Sequence, residues 1–226
     1  MNTRNLLDQL LKSGQQLLDK QGAAGKPGNA AGGLGGLLSG SGGGLLGGGA
    51  LGLLLGSKKA RKYGGKALTY GGLAALGVLA YKAYGNWQAS QRLAASEPQT
   101  VDRLPPAQAE QHSQAVLRAL VAAAKSDGHV DARERALIEG EFTRLDSDRE
   151  LQHWLHDELN KPLDPAEVAR AAQTPEMAAE MYLASVMVVD QENFMERAYL
   201  DELARQLRLD PGLRQELESQ ARLAAS

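Results

Sequence analysis

The chain has 226 residues and a formal net charge of −2, but glycine and charge are divided unevenly at about residue 100. The first 100 residues hold 23 of the 26 glycines and carry a charge of +8, whereas the remaining residues carry −10. The acidity of the second part argues against a nucleic-acid partner, because phosphate binding needs clustered Lys and Arg. The absence of cysteine excludes disulfides and thiolate metal sites.

Residues 1–20 are predicted to form an amphipathic helix whose leucines fall mostly on one side, a pattern that suits a membrane surface or a second helix. Residues 21–62 form a low-complexity segment of glycine and leucine that ends in a basic cluster. Glycine occupies every fourth position from Gly32 to Gly56. Two interpretations stay open for this stripe: a flexible tract in water, or a helix in lipid that packs closely against a second copy and makes a homo-oligomer.

Residues 63–87 are predicted to form a single transmembrane helix. The run from Ala67 to Tyr81 carries no charge, and as a helix it covers about 22 Å of a hydrocarbon core of about 30 Å. Lys66 and Lys82 can snorkel to the two interfaces and make up the difference. A helix buried in a protein core is the competing interpretation at this length.

Residues 88–107 contain three prolines and are predicted to be a linker, followed by a helical domain over residues 108–226. No alternating strand pattern occurs, so the predicted class is all-α, with about seven short helices in this domain. Asp164, Thr174 and Asp210 each precede a proline, a typical N-cap arrangement. The predicted helices are Ala109–Ser126, Ala132–Leu145, Asp148–Asn160, Ala166–Ala172, Glu176–Val189, Phe194–Leu207 and Pro211–Leu223.

Two acidic loops of this domain resemble each other. Each begins at an Asp that ends an apolar helix, and each leads into a helix that opens with Glu-Arg-Ala. This similarity predicts two helix-loop-helix units about a pseudo-twofold axis. Their carboxylates are candidate ligands for a divalent cation, the one cofactor that the sequence suggests. The alternatives are that these carboxylates only cap helices, which is the favoured explanation, or that they form an unrelated partner site. The candidate metal ligands are Asp127, Asp131, Glu134, Asp190 and Glu196.

The stretches 120–137 and 190–203 resemble the TerB-like domain of tellurite-resistance proteins, and the whole chain is similar to the DUF533 family of bacterial inner-membrane proteins. The glycine-rich front, the basic cluster, the short apolar helix and the loop from Ser126 to Arg135 occur in that family's order. The resemblance implies an all-α domain with a cation-binding acidic surface and a role in envelope stress or metal response. It also implies an inner-membrane location, with the side of the C-terminal domain left open.

We find no complete catalytic constellation. His153 and His156 have the spacing of a zinc pair but fit a solvated helix face, and His112 is isolated in the sequence. The leading hypothesis is therefore a membrane-anchored, non-enzymatic binding or scaffold protein with an unidentified protein partner. The alternatives are a metal-dependent hydrolase that uses the acidic loops, and a soluble protein-interaction domain with a glycine-rich tail.

Overall fold

The computed structural model describes residues 3–8, 65–91, 97–127, 136, 138–140, 143, 148–189 and 193–225. All regular secondary structure within these ranges is helical, which confirms the all-α class. Residues 3–8, 136, 138–140 and 143 are helical as well. In chain order, the other helical segments of these ranges are α1 (Gly65–Gln91), α2 (Pro106–Ala124), α3 (Arg149–Asn160), α4 (Pro165–Ala169), α5 (Pro175–Val188), α6 (Phe194–Gln206) and α7 (Pro211–Ala225).

The predicted N-caps begin their helices as expected. The Asp164 carboxylate accepts a hydrogen bond from the backbone N–H of Ala166 at 2.9 Å, and the Thr174 hydroxyl accepts one from Met177 at 3.1 Å. Asp210 accepts one from Gly212 at 2.8 Å. Each cap satisfies a backbone donor that the first helical turn leaves open, and the following proline supplies the required φ angle.

Helix α5 lies at the centre of the bundle. Every residue from Met177 to Val188 is buried, so this helix is covered on all sides. It packs against α1, α2, α6 and α7. A helix that is apolar around its whole circumference favours such a central position, because any exposed face would leave apolar surface in water.

Helix α1 shares one hydrophobic core with the helices that follow it. The division into a membrane helix and a separate domain stays a prediction. Helix α1 packs along α7 and against α5. Its buried side chains recur every three or four residues and form one stripe, as a helix with a single packed face requires. No described helix is both long enough and apolar enough to cross a membrane. The stripe consists of Leu73, Leu76, Ala80, Ala83 and Tyr84.

The predicted linker is also part of the packed structure. Helix α1 continues to Gln91, and the turn at residues 97–105 buries Thr100 and Val101, each 1% exposed. This turn lies directly against Gly77 of α1, where a Cβ atom would stand 2.5 Å from Asp102 Oδ1 and 3.0 Å from the Asp102 backbone nitrogen. Only a residue without a side chain permits this approach.

Residues 3–8 pack on the bundle as well. Leu6 and Leu7 are buried in the shared core. The backbone N–H groups of Thr3 and Arg4 donate to the Glu110 carboxylate on α2 at 2.7 and 3.1 Å. The rest of the predicted amphipathic helix, the glycine stripe and the basic cluster lie outside the described residues.

Two glycines of α1 provide a matched test of this packing. We expect Gly77→Ala to lower the free energy of unfolding by about 1–2 kcal/mol, because overpacking outweighs the helix propensity gained. Gly85→Ala should raise it by about 0.5–1 kcal/mol, since a Cβ there has no neighbour within 4 Å. Urea unfolding of the full chain measures both values. Equal effects of the two substitutions would contradict the packing of α1 on residues 101–102.

Candidate functional site

The structure describes two of the five predicted cation ligands. Asp127 is exposed just beyond α2, and Glu196 is 8% exposed in the first turn of α6. Asp131, Glu134 and Asp190 lie outside the described residues. Within the described ranges no three His, Asp or Glu side chains converge as a metal site. The two-loop cation site therefore stays a prediction.

His153 and His156 lie on the exposed side of α3, as the solvated-face interpretation predicts. His156 Nδ1 is 2.8 Å from Glu139 Oε1. No third ligand joins them among the residues that the structure describes. A zinc site needs at least three protein ligands, and the described residues do not supply that set here.

The most deeply buried ionisable pair joins α2 to α5. His112 Nδ1 lies 2.5 Å from Glu180 Oε2, and the backbone N–H of Val101 donates to Glu180 Oε1 at 2.6 Å. Glu180 is 0% exposed and His112 is 4% exposed. Burial raises the pKa of the Glu180 carboxyl, while His112 and the Val101 N–H oppose that increase. The pair connects α2 to α5 and, through Val101, to the turn at residues 97–105.

An open groove lies between α1, the connection from α4 to α5 and the connection from α6 to α7. We call it the arginine groove, because Arg170 and Arg208 are its exposed cations. Its volume is about 730 Å³, within the range that ligand sites occupy. The apolar part of its lining consists of Tyr84, Trp87, Ala166, Ala169, Ala172, Pro175, Ala178, Leu207, Leu209 and Leu213.

Trp87 fixes one wall of the groove. Its indole Nε1 donates to Asp210 Oδ1 at 2.8 Å, and its ring meets the edge of Tyr84 with 5.2 Å between centroids. The hydrogen bonds from Trp87 and from the backbone N–H of Gly212 lower the pKa of Asp210. The same carboxylate therefore caps α7 and attaches that helix to α1.

Arg208 has a left-handed backbone conformation, with a φ of 54°. It terminates α6 in a Schellman arrangement, in which its N–H donates to Arg205 O at 3.1 Å and the Leu209 N–H donates to Ala204 O at 3.1 Å. Glycine normally occupies this position because a Cβ is unfavourable there. The fold thus tolerates a strained arginine at the edge of the groove, a type of strain that clusters at functional sites.

The two groove arginines differ from others in the bundle. Arg103, Arg205 and Arg214 form ion pairs with carboxylates at 2.5 Å. Within the described part of the chain, neither Arg170 nor Arg208 has such a partner. Two unneutralised guanidinium groups beside an apolar surface can bind carboxylates or phosphates of a ligand that also presents apolar groups.

The sequence analysis missed this groove because its lining comes from three separate stretches of the chain, near residues 84–87, 166–178 and 206–213. The N-cap signals at Thr174 and Asp210 correctly located two helix starts that border it. The position of Trp87 beside Asp210 had no such local signal, because 123 residues separate them.

The fold and the groove define a class of protein: an all-α bundle with an open, arginine-lined groove. The chain belongs to the family described as "Protein of unknown function (DUF533)", which matches residues 40–221. This confirms the resemblance identified from the sequence, and the matched range includes α1 together with the helices that follow it.

The chain is similar to an "Uncharacterized protein in ampR 5'region" of Yersinia enterocolitica. The two are 35% identical over 126 residues, which are 56% of this chain and 89% of the relative. No solved structure matches the chain. The likeness of the C-terminal helices to a TerB-like domain stays a prediction.

The buried pair predicts a dependence of stability on residue 180. Glu180→Ala should lower the free energy of unfolding by about 3 kcal/mol or more, because it strands the Val101 N–H and His112 without a partner. Glu180→Gln retains an acceptor for Val101 and should lower it less. Denaturant unfolding of both variants at neutral pH measures the difference, and equal losses would contradict the role of the hydrogen bonds.

The raised pKa of Glu180 determines whether the free energy of unfolding rises or falls with pH. The folded state holds this proton more tightly than the unfolded state, so protonation favours folding. We expect the stability of the wild type, relative to Glu180→Gln, to decline as pH rises from below 4.5 through the raised pKa. An increase over that interval would contradict the assigned direction.

The left-handed backbone conformation of Arg208 also predicts that a glycine substitution stabilises the fold. Arg208→Gly should raise the free energy of unfolding by about 1 kcal/mol, because glycine adopts this φ without a Cβ penalty. Arg208→Ala provides the matched control and should give no such gain, since alanine keeps the penalty. Thermal unfolding of both variants measures the effect, and a loss with glycine would contradict the strain.

Proposed function

We propose that the protein is a non-catalytic helical binding module that holds an acidic, amphipathic segment of a partner protein in the arginine groove. The observation that carries this proposal is the pair of guanidinium groups of Arg170 and Arg208, which lie beside an apolar lining and have no ion-pair partner among the described residues. An amphipathic helix can place its apolar side in such a groove and its carboxylates against the two cations.

The small residues of the lining support a helical occupant. Ala166, Ala169 and Ala172 follow one another at intervals of three along α4 and its C-terminal extension. Short side chains at this spacing let a second backbone approach closely, while Tyr84 and Trp87 supply aromatic surface of the kind that dominates binding energy.

The proposal assigns no reaction to the protein. The His112–Glu180 pair is buried, and the described residues that line the arginine groove include no histidine and no nucleophile beside a general base. The rival metal-dependent hydrolase would depend on acidic loops that lie largely outside the described residues. No described contact favours it.

We further propose that the protein acts at the bacterial inner membrane and that the glycine stripe mediates self-association there. Support comes from the sequence: no charged residue occurs between Lys26 and Lys58, and a basic cluster follows. A role in envelope stress or metal response and a cation on the acidic loops are parts of the same proposal. They rest on the family resemblance.

The groove can be tested with the two tryptophans of the chain as reporters. Full-length protein labelled with 5-fluorotryptophan should give two ¹⁹F resonances, assigned with Trp87→Phe and Trp154→Phe. We expect a synthetic amphipathic peptide of Glu, Ala and Leu to shift the Trp87 resonance saturably. Its counterpart with Lys in place of every Glu should not, because the groove is cationic.

Charge reversal provides the matched control. The double variant Arg170→Glu/Arg208→Glu should weaken binding of the acidic peptide about tenfold or more, since two attractive contacts become repulsive. The variant Arg149→Glu/Arg222→Glu changes net charge equally at exposed positions outside the groove and should have little effect. Equal weakening by both variants, or equal binding of the lysine peptide, would contradict the proposal.

A further inference from the structure

A second cleft lies on the bundle between α2, the first half of α3 and the connection that follows α4. Its volume is about 340 Å³. We call it the glutamine cleft, because three side-chain amides line it. Its lining includes the polar and aromatic residues Gln111, Gln114, Gln173, Thr3, Arg118 and Trp154.

The Thr3 hydroxyl is the unusual group in this cleft. Thr3 is 0% exposed, and its Oγ1 has no hydrogen-bond partner within the described structure. Its backbone N–H is satisfied by Glu110, so the residue is held in place while the hydroxyl is left without a partner. A buried hydroxyl without a partner is destabilising and is rare in folded proteins. A ligand with a hydroxyl group can satisfy it.

Among the described residues, the lining contains no carboxylate, although the second part of the chain is strongly acidic. The one charged group among them, Arg118, has its Nε 3.5 Å from the Glu158 carboxylate and its guanidinium 5.9 Å from the centroid of Trp154. The positive charge is thus offset by a residue outside the lining. A charged ligand gains little in such a neutral site and loses its hydration.

The hydrogen-bonding groups of the cleft further restrict the chemical class of ligand that it can bind. A primary amide and a hydroxyl each donate and accept hydrogen bonds, whereas a ligand carboxylate only accepts and an ammonium only donates. A ligand hydroxyl also donates and accepts, so it can pair with each of these groups, as can a ligand amide. Partly exposed Trp154 adds apolar surface for the C–H face of a ring.

We propose that the glutamine cleft binds an uncharged, polyhydroxylated ligand of the saccharide class. Among the described residues, this cleft shares only Gln173 with the lining of the arginine groove. Hydroxyl groups of the sugar pair with the amides of Gln111 and Gln114 and with the Thr3 hydroxyl. The sugar ring lies on the apolar surface beside Trp154.

The Trp154 resonance of the ¹⁹F-labelled full-length protein tests this directly. Glucose, N-acetylglucosamine and their disaccharides are the probes, with gluconate and glucosamine as charged counterparts. We expect at least one uncharged sugar to shift Trp154 saturably, without moving Trp87, and the charged counterparts to bind more weakly. No saturable shift with any uncharged sugar, or tighter binding of gluconate or glucosamine, would overturn the proposal.

Two sets of variants separate binding from folding. Gln111→Leu/Gln114→Leu should weaken sugar binding about tenfold or more, because two polar contacts are lost. Gln108→Leu/Gln215→Leu, at exposed positions outside the cleft, should leave binding unchanged. Thr3→Val should weaken binding yet raise the melting temperature, since it replaces an unsatisfied hydroxyl by a methyl group. Binding that is unaffected by both Thr3→Val and the cleft glutamine variant would overturn the assignment of this site.

Discussion

The buried carboxylate of Glu180 is the contact on which the arrangement of the bundle depends. From the central helix α5 it accepts the N–H of Val101 and meets the imidazole of His112, so it joins α5 to α2 and to the turn at residues 97–105. That turn lies against Gly77, which brings α1 onto the same centre. A charged or polar group with no solvent contact is destabilising unless it is fully paired, and this requirement selects one arrangement of the four elements.

Both candidate sites depend on that arrangement. Trp87 forms a wall of the arginine groove only because α1 runs beside α7, where Asp210 accepts the indole N–H. The glutamine cleft depends on Thr3, which the Glu110 carboxylate holds against α2. Helix α1 thus contributes to the arginine groove and residues 3–8 contribute to the glutamine cleft. The later helices and their connections supply the other lining residues of both sites. The family match, which begins at residue 40 and continues to residue 221, agrees with a unit that includes α1.

Local signals in the sequence predicted the helices well and their packing poorly. Asp164 and Thr174 mark helix starts because capping involves atoms only two or three residues apart. The uncharged run from Ala67 to Tyr81 has the same composition whether lipid or protein covers it, so the sequence did not distinguish the two. His112 appeared isolated because its partner lies 68 residues away. The sites were missed for the same reason, since each gathers side chains from several distant segments.

Native-state hydrogen exchange on the full-length protein in aqueous buffer tests the central claim, that α1 folds as part of the bundle. Amide protons of Leu76, Ala80 and Ala83 should be as strongly protected as those of Met181 and Leu183 on α5, and both sets should lose protection together as denaturant is added. Rapid exchange along α1 while α5 stays protected would contradict the account. It would instead favour a helix that folds separately from the helices after residue 105.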